Sequence, residues 1–278
     1  MSVTLMLGGN VDAIKPALDC AIHLTKRLQS TLTGLCALPD PVTSSVYITG
    51  AETVVLGSAA IASLTQAQDK LMADFSQAFS TQTKAAGPWL KAEFHKEIGS
   101  VAAHAVAAAT LDDAFILPNE ATRSSHALNP AFEQVLMEAH LPLVLAPQQM
   151  TPSDTCVIAW DGSPISARAV RLHLPLIRTY QHVVLAQNTR KVRHQWDHVC
   201  QSSKQRVIDL LHDERLNVTP MEMSGAVSEG LLKTAEEHGA SLIVMGAYGH
   251  NRIGQMLFGG TTSKLLHNAA APALALCR

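Results

Sequence analysis

The sequence predicts an α/β protein of two tandem domains, each a five-stranded, mainly parallel sheet with helices on both faces, in a Rossmann-like layering. Three observations carry that expectation. Short apolar runs alternate with longer amphipathic patterns, which is how βαβ units read in sequence. The apolar content, 47% of 278 residues, comes mostly from Ala, Leu and Val, with only 4% aromatics, which suits a parallel sheet covered by helices. The same pattern also occurs twice in the same order.

The repeat can be followed segment by segment. Residues 3–18 (VTLMLGGNVDAIKPAL) align without gaps on residues 155–170 (TCVIAWDGSPISARAV): an apolar strand, a Gly-containing turn, then an Ala-rich helical pattern. DAFILPNE (113–120) parallels SLIVMGAY (241–248), each a strand running into a turn. EQVLMEAHLPLVLAP (133–147) parallels SKLLHNAAAPALALC (263–277), each a helix, a Pro and a short strand. The polar, Pro-containing segment QQMTPSD (148–154) marks the seam, giving domains 1–149 and 150–278.

In the first half, AETVVLGSAAIA (51–62) reads as a loop, and the following SLTQAQDKLMADFSQAFSTQTKAAG reads as a long helix over the sheet. The second half reads as a strand at Thr155–Ala159, a helix from about Pro164 to Arg178, and a strand at His182–Ala186. A helix from about His194 to Glu214, a strand at Asn217–Met223 and a helix at about Ser228–His238 follow. The strand Ser241–Met245, a helix from about Thr261 to Asn268 and the strand Ala273–Cys277 complete it. Ligands of such sheets lie outside the carboxyl ends of the strands, at the topological switch point. That directs attention to the loops Trp160–Ser163, Gln187–Arg190, Ser224–Ala226 and Gly246–Gly260.

The last of these, within MGAYGHNRIGQMLFGGTTSKLL, carries five of the chain's 16 glycines, and four are of interest: Gly246, Gly249, Gly259 and Gly260. Glycine allows positive φ and close approach to a ligand. A helix start favours an anion, and Thr261 and Thr262 add hydroxyls. The stretch therefore reads as a phosphate cradle, with Arg252 and His250 able to offset phosphate charge and Lys264 one turn into the helix. It matches neither the dinucleotide fingerprint nor GxxxxGK[ST]. Ordinary loop glycine is the plain alternative.

The spacing Gly-x2-Gly-x9-Gly, followed by small and hydroxyl-bearing residues, resembles the loop after the fourth strand of nucleotide-binding universal stress proteins. IAWDGSPISARAV, with its Asp-Gly-Ser turn after the first strand, and the closing Pro and apolar strand extend the likeness. Taken twice, it covers nearly the whole chain as a tandem universal stress protein, nucleotide α-hydrolase-like in fold. The resemblance implies that Asp161 contacts the nucleoside and that backbone around Ala186 and Gln187 edges the adenine. It implies that Gly246, Gly249, Gly259, Gly260 and Thr261 hold ribose and phosphates. The implied ligand is ATP, with or without Mg, hydrolysed slowly if at all. In the family subunits associate through the last strand, here Leu143–Ala146 and Ala273–Cys277, so the two halves are expected to pack as an internal pseudo-dimer, and a homodimer through sheet-edge strands is open.

The chain departs from the pattern in places. Gly260 stands where the family has Ser or Thr, which removes one hydroxyl bond worth about 1 kcal/mol. In the first half Gly9 replaces Asp161, Pro118 replaces Gly246, NEATRSSHALNP contains no glycine, and Asn129 and Pro130 replace Gly259 and Gly260. A proline there lacks the N–H a phosphate needs. Any nucleotide is therefore expected in the second half alone.

Other readings fall away or stay secondary. A net charge of −2 with no basic run argues against sequence-independent nucleic-acid binding. Five single cysteines without a CxxC predict reduced thiols, with Cys20, Cys36 and Cys156 as buried hydrophobes. MSVTLMLGGNVDA lacks a basic n-region and no apolar run approaches a bilayer span, so a cytoplasmic protein without a membrane partner is expected. Asp161 also suits a cap for the helix near Pro164. His194 and His198 have the i, i+4 spacing of helical zinc ligands, but no Glu follows His194. No GxSxG or Cys–His pairing marks a nucleophile. The expected function is a stress-response protein binding ATP. The alternatives are a scaffold of the same fold without nucleotide, and an adenine-nucleotide hydrolase.

Overall fold

The computed structural model describes residues 2–44, 46–49, 52–55, 57–188, 197–247 and 260–278; residues 44, 46–49, 52–55, 197–203, 260 and 261 are described by backbone alone. In the first half the order is β1 (Ser2–Leu7), α1 (Lys15–Leu28), β2 (Thr31–Leu38), α2 (Pro41–Ser44), β3 (Val46–Thr49), β4 (Glu52–Val55), α3 (Ser58–Ala85) and β5 (Ala92–Ile98). It continues with α4 (Val101–Ala109), β6 (Ala114–Pro118), α5 (Asn129–Phe132), which runs on as a π-helical segment Glu133–Glu138, and β7 (Leu143–Ala146). The second half holds β8 (Thr155–Ala159), α6 (Pro164–Leu172), α7 (Leu174–Ile177), β9 (His182–Gln187), α8 (Asp197–Asp213) and β10 (Asn217–Glu222). α9 (Val227–Glu237), β11 (Leu242–Gly246), α10 (Gly260–Leu266) and β12 (Ala273–Cys277) complete it.

Ten strands form one sheet in the order β10-β9-β8-β11-β12-β7-β6-β1-β2-β5. Within each half every pairing is parallel and the strands follow the same order, the third strand of the half at one edge and the fifth at the centre of the molecule. The halves join through β7 and β12, which pair antiparallel with Leu274 opposite Leu145, Ala275 opposite Val144 and Leu276 opposite Leu143. The two expected five-stranded sheets are thus halves of one continuous sheet. Both fifth strands have neighbours on each side, so the edges are β5 and β10. β10 carries Pro220, which lacks a donor and is tolerated where no further strand pairs.

Burial follows this order. β12 is buried at all five positions, whereas β5 and β10 are largely exposed, as helix cover on both faces dictates for central strands. Two apolar layers flank the sheet, and each spans both halves. One includes Leu18 of α1, Phe75 of α3, Ile177 of α7 and Leu211 of α8. The other includes Ala105 of α4, Phe132 of α5, Leu231 of α9 and Leu265 of α10. Cys20, Cys36 and Cys156 are buried in these layers as expected. Burial pushes the thiols of Cys20 and Cys156 up to about 12. Cys200 lies outside the described side chains.

Two local readings change. The helix expected over Pro164–Arg178 breaks at His173, whose φ of −95° and ψ of 9° leave the helical region. Pro175 has no N–H to donate to the carbonyl four residues earlier, so the second piece starts anew as α7. The loop expected over 51–62 is instead the second strand of an antiparallel ribbon, β3 with β4, followed by a helix starting at Ser58.

Candidate functional site

β8 lies between β9 and β11, so the chain reverses its direction of travel across the sheet there and a crevice opens between the carboxyl ends of β8 and β11. Trp160-Asp161-Gly162-Ser163 turns out of β8 on this edge. Asp161 is exposed and its Oδ1 accepts the Ser163 N–H at 2.9 Å, an Asx turn. Gly162 completes it at φ +75°. Ser163, not Asp161, caps α6: its hydroxyl accepts the Ser166 N–H at 3.1 Å, with Pro164 in the first turn. The capping reading of Asp161 is therefore corrected. The aspartate shapes the turn before the cap.

Gly246 closes β11 opposite Cys277. A Cβ added to it would lie 2.7 Å from Ile165 Cγ2 and 3.1 Å from both the Ile165 carbonyl carbon and the Ser166 nitrogen. The glycine thus lets the strand end pass against the first turn of α6, a packing requirement that exists without any ligand. The backbone of α10 begins at Gly260, and because it crosses between the parallel strands β11 and β12, its first turn lies on the same carboxyl edge. Thr262 is buried at 4% exposure. Gly249, Arg252, Gly259, His250 and the side chain of Thr261 lie outside the described residues, so the phosphate end of the expected cradle does too. The His194–His198 pair also lies outside the described side chains. Among the described residues no group of three or more His, Cys, Asp or Glu could hold a metal.

At the end of β9, the Ala186 carbonyl accepts the Trp160 N–H at 2.8 Å and the Gln187 carbonyl accepts the Met223 N–H at 2.7 Å. Both carbonyls of the expected adenine edge are therefore engaged in extending the sheet. The next residue, Asn188, is buried and donates from Nδ2 to the Gly225 carbonyl at 3.1 Å. Its Oδ1 is buried with no hydrogen-bond partner, as is the Nε1 of Trp160. Native interiors pair nearly all such atoms; Asn119 Oδ1, just past β6 in the first half, is a third orphan. Sequence reading passed over Asn188, which carries no motif.

The same position in the first half is filled by the chain itself. Gly8 and Gly9 leave β1 where Trp160 and Asp161 leave β8. A Cβ on Gly8 would meet Leu128 Cδ2 at 2.8 Å, and one on Gly9 would meet His126 Nε2 at 2.6 Å. Leu128 is 1% exposed, and its N–H donates to His126 Nδ1 at 3.1 Å, so the loop after β6 is folded down over the turn. Asn119, at the start of that loop, donates from Nδ2 to the Leu266 carbonyl at the end of α10, 2.6 Å away.

Comparison with known proteins agrees with this architecture. Residues 153–276 match the model of the Universal stress protein family. Over 155 residues, 53% of this chain, the sequence is 22% identical to the universal stress protein Slr1230 of Synechocystis sp.. That stretch is 50% of the relative, so the chain spans about half the length of the curated protein it matches. The fold is similar to that of a universal stress protein from Archaeoglobus fulgidus, at a TM-score of 0.63 and 16% identity, over 100% of this chain and 98% of that one. It is also similar to the protein PA1789 of Pseudomonas aeruginosa, of unknown function, at a TM-score of 0.50 and 12% identity, over 99% and 92% of the two chains. No described helix is long and apolar enough to cross a membrane. Residues 153–276 of the chain are thus similar to the Universal stress protein family.

Proposed function

We propose that the second half binds an adenine nucleotide, ATP above all, and that the chain is a cytoplasmic stress-response protein acting through that binding, with at most slow hydrolysis. What supports this is the carboxyl edge of the second half, where Asp161 stands in the turn out of β8 and Gly246 ends β11, at positions where the first half has Gly9 and Pro118. In residues 1–149 the crevice is filled by His126 and Leu128. In residues 150–278 the described residues place Asp161 and Gly246 at the matching edge. The shared strand order supports a tandem origin, with the first half a degenerate universal stress protein-like domain. Asp161 and the end of β9 would hold the nucleoside. Gly246, Gly249, Gly259, Gly260, Thr261, Thr262 and Arg252 would hold ribose and phosphates, and Mg can accompany them.

Mass spectrometry of ligand extracted from the purified protein tests this, together with hydrogen exchange of residues 246–262 at saturating ATP. Released adenine nucleotide and slowed exchange are expected. A protein that neither carries nor takes up nucleotide would leave the scaffold reading, which one observation already favours: packing against α6 alone accounts for Gly246.

A further inference from the structure

Asn188 is 6% exposed and follows the last residue of β9. Its Nδ2 faces the carbonyl of Gly225 at 3.1 Å. A carbonyl only accepts, so this bond decides which way the amide is turned, with the nitrogen toward Gly225 and Oδ1 away from it. Oδ1 is then an acceptor held in place, buried and without a partner. Along β9, Val183 and Leu185 belong to one apolar layer and Val184 and Ala186 to the other. The period of two puts Asn188 on the face of Ala186. Ala159 pairs with Ala186, and Asp161 and Asn188 each follow that last pair by two residues.

We propose that Asn188 Oδ1 accepts a hydrogen bond from the exocyclic 6-amine of the bound base and thereby selects adenine over 6-oxopurines. This rests on the nucleotide reading given above. Adenine presents N–H at its 6-position, whereas hypoxanthine and guanine present an oxygen there, setting lone pair against lone pair. Because Nδ2 is held by Gly225, the amide cannot turn to suit a 6-oxo base without giving up that bond. A site that offers one fixed acceptor discriminates better than one that only encloses the ring. The carbonyls of Ala186 and Gln187 each already accept one N–H, whereas Asn188 Oδ1 accepts none.

The test compares ATP, ITP and N6,N6-dimethyl-ATP by calorimetry on the unaltered full chain, then on Asn188→Leu. ITP and the dimethyl analogue are expected to bind at least about tenfold more weakly than ATP. In Asn188→Leu the ATP/ITP gap should fall below about threefold, with Asn188→Ala giving the same comparison should the Leu variant not fold. Equal affinity of the unaltered chain for ATP and ITP overturns the proposal while leaving nucleotide binding intact. A gap that persists in the variants places the discrimination elsewhere and also overturns it. Failure of all three nucleotides to bind overturns this inference and the function together.

Discussion

The guanidinium of Arg27 lies 4.0 Å from the centre of the Tyr180 ring, and the two residues come from different halves. Around that stack, Nη1 donates to the Thr179 carbonyl at 2.8 Å, Nη2 to the Ser153 carbonyl and to Asp154 Oδ1, and Nε to His23 Nε2 at 2.9 Å. The side chain is only 10% exposed, while that of Asp154 is 58% exposed. The carbonyl bonds and the ring, rather than the solvated ion pair, therefore dominate. Arg27→Ala should lower stability by about 2–3 kcal/mol in urea unfolding, and Arg27→Lys should recover only part of that, lacking the planar fork. An Ala variant as stable as the parent would show that this contact does not tie the halves together.

Acid should weaken the fold through His173. Its Nε2 donates to the Leu276 carbonyl at 3.0 Å, Nδ1 is buried without a partner, and burial lowers its pKa from 6.5 to about 4. Above pH 6.5 the ring is neutral folded or unfolded. Below that, the unfolded chain takes a proton that the folded chain refuses. Stability therefore falls between pH 6.5 and about 4, by about 3 kcal/mol in full. His23, lowered to about 4 by burial and by Arg27, acts in the same direction. Urea midpoints measured from pH 7 to 4 check this; His173→Leu should flatten the acid limb.

Gly246 and Gly225, both on the carboxyl edge of the second half, should differ in their response to a methyl group. Gly246→Ala sets Cβ against the backbone of α6 and is expected to cost about 2–3 kcal/mol. Gly225→Ala meets nothing within 4 Å and is strained only by its φ of +78°, at about 1 kcal/mol. Thermal melts of the two variants give the order. Equal losses would mean that β11 and α6 can separate freely.

Nucleotide binding should saturate at one molecule per chain, because His126 and Leu128 occupy the first-half crevice. Asp161→Ala should weaken it about tenfold or more, by removing the carboxylate and loosening the turn ahead of α6. Native mass spectrometry reads both effects. Two molecules per chain would refute the asymmetry.

Much of this was open to sequence reading. The strands Thr155–Ala159 and Ala273–Cys277 match to the residue, because each is an apolar run bounded by turn chemistry. The break at His173 had its signal in Pro175, but the apolar pattern continued across it. Asp161 and Ser163 are both good caps, and the position of Pro164 decides between them. The ribbon of β3 and β4 is too short for its period to stand out. The fit of Gly246 against α6 and the unpaired oxygen of Asn188 are products of tertiary approach, and no local pattern encodes either.

The antiparallel seam between β7 and β12 makes the five strands that the first half gives to the large sheet run opposite to the five from the second. The rim carrying Asp161 and the rim carrying His126 therefore face away from each other. A protein docking on the rim of His126 would leave the rim of Asp161 uncovered. Asn119, on the rim of His126, grips the far end of the helix whose start belongs to the rim of Asp161. That helix, about 10 Å long for its seven residues, links the two rims.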